Sequence, residues 1–274
     1  MTDGQDALER IAAALGRLAP PPPAAVDWTG APAFTWGASG ARSVAALDGV
    51  GLDTLRGIDA QKAAVLSNVQ RHAAGAAAHD MLLWGARGMG KSALIRASVA
   101  AVQMEAPQAL ALVQVMPGGL SDVSDLLAIL NAIPRRFILF LDDLGFAADA
   151  RADMLALRSL LDGGVAPRPA NVRIAVTSNH RSIVMRGAEE AEAMHERDAR
   201  DDTQALADRF GLKLGFHPCD RETFLAILRA YTDPLGLEFD EEEALAWTIA
   251  RGSRSGRSAV QFATELAGRA GTSL

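Results

Sequence analysis

Eight residues, Gly85-Ala86-Arg87-Gly88-Met89-Gly90-Lys91-Ser92, constrain the fold more than any other stretch of this chain. They fit G-x-x-x-x-G-K-[ST] without a mismatch, a pattern that is informative when a strand precedes it and a helix follows. Both are predicted here: Met81-Leu82-Leu83-Trp84 is a short apolar strand, and residues 92–104 carry helical spacing. The chemistry accounts for the residue types. Glycines let the backbone fold into a nest whose N–H groups surround phosphate oxygens, and the helix that follows adds its positive end. Lys91 is expected to reach the outer phosphates and Ser92 to offer a hydroxyl to magnesium, in a cradle running from Gly85 through Ala93.

A second signal lies further on, where Asp142 follows Lys91 by 51 residues. The strand Phe137-Ile138-Leu139-Phe140-Leu141 is wholly apolar and delivers Asp142 and Asp143 to its carboxyl end. Open α/β sheets bind ligands at that end. Asp142 is expected to hold magnesium, and Asp143 to orient or deprotonate the attacking water. A third segment, Val176-Thr177-Ser178-Asn179, closes another buried strand and presents polar groups where a lytic water would sit. On its own this last segment is equally a turn, since Ser and Asn commonly end strands.

Around these motifs, apolar strands alternate with helices. Strands are predicted at 109–115 and 172–177 and helices at 59–73 and 123–130, with Asp59 as the N-cap of the first. Short continuous apolar runs separated by helices indicate a parallel sheet covered on both faces. After Pro218 the pattern is helical to Leu274, with Asp220 and Asp240 as N-caps and Glu243 completing a capping-box variant. The expected architecture is therefore α/β: a P-loop NTPase sheet with a small C-terminal helical lid. Residues 1–50 are assigned to an N-terminal helix (5–18) and a Pro-rich arm, 51–217 to the nucleotide-binding domain and 218–274 to the lid. Within the arm, Trp28 and Trp36 are expected to cover a neighbouring domain. Residues 188–203 hold seven acids and two bases, and are expected to form a solvated helix or mobile insertion, not a metal site.

With these segments in view, the chain resembles an AAA+ ATPase, and within that class an uncharacterised bacterial AAA+ family known as domain of unknown function 815. The resemblance rests on Leu83 through Ser92, Phe140-Leu141-Asp142-Asp143-Leu144, Leu161-Asp162-Gly163-Gly164-Val165, Thr177-Ser178-Asn179, Asp208-Arg209-Phe210-Gly211 and Arg251-Gly252-Ser253-Arg254-Ser255-Gly256-Arg257. It implies binding of ATP with Mg2+, hydrolysis, and a homo-oligomer. It implies a sensor role for Asn179 and an arginine finger at Arg209, presented to a neighbouring subunit. It also implies a lid sensor at Arg257, with Arg254 as the rival, and an adenine-side contact at Gly57 and Ile58. Two features depart from the AAA+ pattern. Asp143 stands where Glu is usual, which predicts slow turnover, and the lid shows about three helices by helical spacing.

Three functions compete: an ATP-hydrolysing machine acting on a protein partner, a helicase-loader or transposition-helper ATPase acting with DNA, and a nucleotide-gated binding module. With 27 basic and 33 acidic residues the formal charge is −6, which argues against a general phosphate-backbone binder. The single cysteine excludes a disulfide framework and multi-Cys zinc sites. No apolar run reaches the length of a membrane span, and the acidic N-terminus does not read as a secretory signal, so the expected address is the cytoplasm.

Overall fold

The computed structural model describes residues 26–144, 151–162, 168–179 and 205–274; of residues 151–154 only the backbone is described. The predicted helix at 5–18, the polyproline run and the acidic stretch lie outside the described residues.

The elements in chain order are β1 (Ala33–Gly37), β2 (Gly40–Val44), α1 (Asp59–Ala73), β3 (Met81–Gly85), α2 (Lys91–Glu105) and β4 (Leu110–Val115). Then follow α3 (Val123–Asn131), β5 (Arg136–Leu141), α4 (Arg151–Asp162), β6 (Val172–Ser178) and β7 (Leu212–Phe216). The C-terminal region contains α5 (Arg221–Thr232), a 3-10 turn, α6 (Glu241–Ala250) and α7 (Gly256–Arg269). The strands form one seven-stranded sheet in the order β2-β1-β4-β5-β6-β3-β7. Every pairing is parallel except β1 with β2.

Strand alternation divides the core in two. On β5, Ile138 and Phe140 pack toward α1, α2 and the C-terminal helices, while Phe137, Leu139 and Leu141 pack toward α3 and α4. A sheet buried on both faces needs such uninterrupted apolar strands, as the sequence predicted. The C-terminal helices follow local rules as well. Asp220 and Asp240 cap α5 and α6 by accepting from the Thr223 and Glu243 amides at 2.8 Å. α7 buries Ala259, Phe262, Ala263 and Leu266, one face at helical spacing.

Four features differ from expectation. Residues 33–44, assigned from sequence to the arm, are two strands of the sheet. Trp28 and Trp36 sit in this chain's own core, with Trp28 tilted on Phe34 at 4.6 Å and edge-on to Phe137 at 6.1 Å. Trp36 donates its indole N–H to the Gly119 carbonyl. The buried Arg135 guanidinium fastens this extension, donating to the carbonyls of Trp28, Thr29, Ala31, Pro107 and Leu110. Asp59 is not an N-cap: Ile58 holds that position, and Asp59 lies in the first turn, paired with Lys62 at 2.8 Å. Helix α4 was not anticipated. Among the described residues no helix is long and apolar enough to cross a membrane.

Candidate nucleotide site

The sheet order places β3 between β6 and β7, with β5 beyond β6. Connections leave β3 toward β4 on the far side of β5 and β6, so a crevice opens at the carboxyl ends of β3 and β6. Register makes those ends level: Trp84 lies opposite Ser178, and Leu141 opposite Val176. The three motifs, far apart in sequence, therefore converge on one spot.

The loop between β3 and α2 is shaped by glycine at two places in particular. Gly85 has φ 119°, and a Cβ there would lie 2.1 Å from the Phe216 carbonyl oxygen of β7. Gly88 has φ 73°, and a Cβ would press on Ser255 and Arg257 at 2.9 Å. Both conditions exclude ordinary side chains. Lys91 then begins α2, only 6% exposed, with Nζ donating to the carbonyls of Gly85 (2.9 Å) and Ala86 (2.8 Å) and to Asn179 Oδ1 (2.9 Å). Burial pushes its ammonium down to about 8. Asp143 and Asp142 oppose that shift, and Arg257 and Arg87 add to it.

The carboxylates are held by short-range bonds. Ser92 Oγ donates to Asp142 Oδ1 at 2.5 Å, and Thr177 Oγ1 donates to the same oxygen at 2.7 Å. Asp143 has a left-handed backbone, φ 53°, the one positive φ outside glycine among the described residues. Its side chain accepts a bond from Asn179 Nδ2. Asn179 thus touches both Lys91 and Asp143, where the sequence expected a polar group beside the reacting phosphate.

These groups line a cleft of about 810 Å³. Its apolar lining includes Val50, Leu55, Ile58, Ile227 and Val260, with Tyr231, the chain's one tyrosine. The same cleft is lined by Gly88, Met89, Gly90, Lys91, Ser92, Ala93, Asp142, Asp143, Thr177 and Asn179. Gly85, Ala86 and Arg87 do not line it, and the Ala86 amide is spent on the Phe216 carbonyl at 2.8 Å. Gly57 does not line it either: a Cβ there would meet Thr223 of α5 at 2.2 Å, so its bare backbone serves packing.

Helix α7 reaches this cleft through its first turn. Ser255 and Ser258 form a capping box, which sets the helix start and brings the Arg257 amide to the Gly88 carbonyl at 3.1 Å. Arg257 lines the cleft and Arg254 does not. Arg209 lies outside the lining, its guanidinium paired with both oxygens of Asp162 and donating to the Ala205 carbonyl at 2.5 Å. Its neighbour Asp208 pairs with Lys213 instead. Arg56, Arg96 and Tyr231 also line the cleft; the sequence assigned no role to any of them, and only Arg56 adjoins a predicted contact, Gly57.

A phosphate loop at the switch point of a mostly parallel sheet, with a helical C-terminal region touching that loop, defines the AAA+ P-loop fold. The chain belongs to the family described as protein of unknown function (DUF815), whose model matches residues 29–270. Among solved structures, the chain is similar to ORC1 of Aeropyrum pernix, solved in complex with DNA. That match has a TM-score of 0.58 and 15% identity over 81% of this chain and 62% of that one. It is also similar to ORC2 of Aeropyrum pernix, described with ADPNP and ADP, with a TM-score of 0.53 and 14% identity over 80% and 65%. A variant of Thermotoga maritima RuvB gives a TM-score of 0.51 and 19% identity over 79% and 64%. The chain thus spans less than two thirds of each of these proteins, and at such identities the likeness shows the fold alone. None of the curated proteins compared with it matches the chain.

Proposed function

We propose that this protein is an ATPase that binds ATP with magnesium, hydrolyses it to ADP and phosphate, and uses the cycle to change conformation against a protein partner. The observation that carries this reading is the convergence of Lys91, Ser92, Asp142, Asp143 and Asn179 on one cleft that apolar side chains also line. In this reading the apolar lining takes the base, and the loop amides with Lys91 take the phosphates. Asp143 positions water with Asn179 beside it. Asp143 is one methylene shorter than Glu, so turnover is slow.

Magnesium fits the donors present. Ser92 and Asp142 offer hard oxygens 2.5 Å apart, and this ion commonly takes one or two protein oxygens with phosphates and water completing its shell. Bound there, it would offset charge on the phosphates. Arg209, outside its own cleft, is assigned to the neighbouring subunit's nucleotide, which makes the active form a homo-oligomer. Arg257 is assigned to sensing the nucleotide from the C-terminal helices. The protein partner and a cytoplasmic setting belong to the same proposal.

The test is direct. A fluorescent ATP analogue should bind the wild type and Asp143→Asn but not Lys91→Ala, and phosphate release should be lost in both variants. Unchanged binding by Lys91→Ala, or full turnover by Asp143→Asn, would refute the assignment.

A further inference from the structure

We infer that Thr177 is a positioning residue for the divalent cation: its single hydroxyl aims Asp142 while locking the backbone of Asp143. This inference rests on the reading above that Asp142 serves magnesium.

Thr177 is 1% exposed, the penultimate residue of β6, two before Asn179. A hydroxyl has one proton to give and two lone pairs to receive. Here the proton goes to Asp142 Oδ1 at 2.7 Å, and one lone pair accepts the Asp143 amide at 2.8 Å. The Thr177 carbonyl accepts the next amide, Leu144, at 2.9 Å, and Ser178 Oγ donates to the Leu144 carbonyl at 3.2 Å. The turn that carries both carboxylates is thus strapped to the end of β6. The strap matters because Asp143 sits in a left-handed backbone state that an ordinary residue leaves unless held.

Two donors share Asp142 Oδ1, but their fates differ. The Ser92 hydroxyl is itself assigned to the cation, so its bond to Asp142 cannot be what orients the carboxylate once the cation is present. Thr177 has no such second task. Among the contacts described for Asp142, Thr177 is the one that can stay in place with the cleft filled. A bond to a charged acceptor in a buried site is also the stronger kind.

The experiment measures affinity for a fluorescent ADP analogue as magnesium is titrated, and again in EDTA, for wild type, Thr177→Ser, Thr177→Val and Thr177→Cys. Thr177→Val should raise the magnesium concentration at half effect about tenfold, the worth of one charge-assisted bond of about 1.4 kcal/mol. Its affinity in EDTA should stay within twofold of wild type. Thr177→Ser should restore the magnesium response. If Thr177→Val does not fold, Thr177→Cys, a weak donor of similar size, should show the same shift in smaller measure. An unchanged magnesium response in the Val and Cys variants overturns the inference. So does an equal loss of affinity with and without magnesium, or a Ser variant as impaired as Val. A wild type that binds nucleotide equally well with and without magnesium overturns it too, while leaving the phosphate loop's role intact. A wild type that binds no nucleotide at all refutes the ATPase reading itself.

Discussion

Nucleotide binding should draw protons from solution at mildly alkaline pH, and the amount follows from Lys91. In the free protein this ammonium is buried, and its pKa is pushed from 10.5 down to about 8. Phosphate oxygens arriving at the loop bring negative charge against Nζ, which favours the protonated form and returns the pKa toward its ordinary value. The fraction of Lys91 that is neutral before binding is then the number of protons taken up: about 0.1 at pH 7, about 0.5 at pH 8 and about 0.9 at pH 9. Phosphate groups titrate near pH 6, so ADP itself contributes little above pH 8. Calorimetric titration of ADP in two buffers of different ionisation enthalpy gives the proton count from the difference in heat. A Lys91→Arg variant, which stays charged throughout, should show no uptake if it binds. The sign for stability follows from the same pair of values. Between about pH 8 and 10.5 the folded free protein binds fewer protons than the unfolded chain, so this group adds stability as pH rises through that window. It withdraws that stability as pH falls through about 8. Heats that do not depend on buffer at pH 8.5, or proton release on binding, would refute the argument from Lys91 burial.

Two further outcomes follow from Arg257 at the cleft and Arg209 outside it. Arg257→Ala should weaken nucleotide binding several-fold and blunt the difference in scattering profile between ATP-bound and ADP-bound forms, whereas Arg254→Ala should do neither; equal effects of the two would deny Arg257 its special place. Arg209→Ala should leave nucleotide affinity within about twofold and reduce hydrolysis on the order of 10³-fold, as fingers of this kind do. To reach a neighbour's phosphate Arg209 must leave its two-oxygen pair with Asp162 and its bond to the Ala205 carbonyl, so the finger role requires those contacts to open on assembly. Mixing Arg209→Ala with Lys91→Ala should recover part of the activity, and no recovery in demonstrably mixed oligomers would make Arg209 structural.

The phosphate loop, the aspartate pair and Asn179 were legible in the sequence because each depends on local chemistry. A glycine-rich turn between an apolar strand and a helix has few other uses, and an apolar strand ending in two aspartates announces which end of the sheet is polar. The caps at Asp220 and Asp240 were legible for the same reason, since a cap needs only its own helix. Other features depend on what lies opposite in space. Residues 33–44 carry no uninterrupted apolar run: β1 is completed by its parallel partner β4, and β2 sits half-exposed on the edge. Arg209 meets Asp162, 47 residues away, while the adjacent Asp208 pairs with Lys213. Gly57, expected beside the base, lies outside the cleft lining, with Thr223 of α5 packed against it. Arg257 lines the cleft and Arg254 does not, because the Ser255 cap sets the helical phase and the Arg257 amide meets the Gly88 carbonyl. Thr177 gained its place only when β6 was paired beside β5, which brought one hydroxyl within reach of both aspartates. Motifs record the bonds a residue makes with its chain neighbours; the partners of Thr177, Arg209 and Arg257 are set by strand order and helix docking, which arise from burial of the whole sheet.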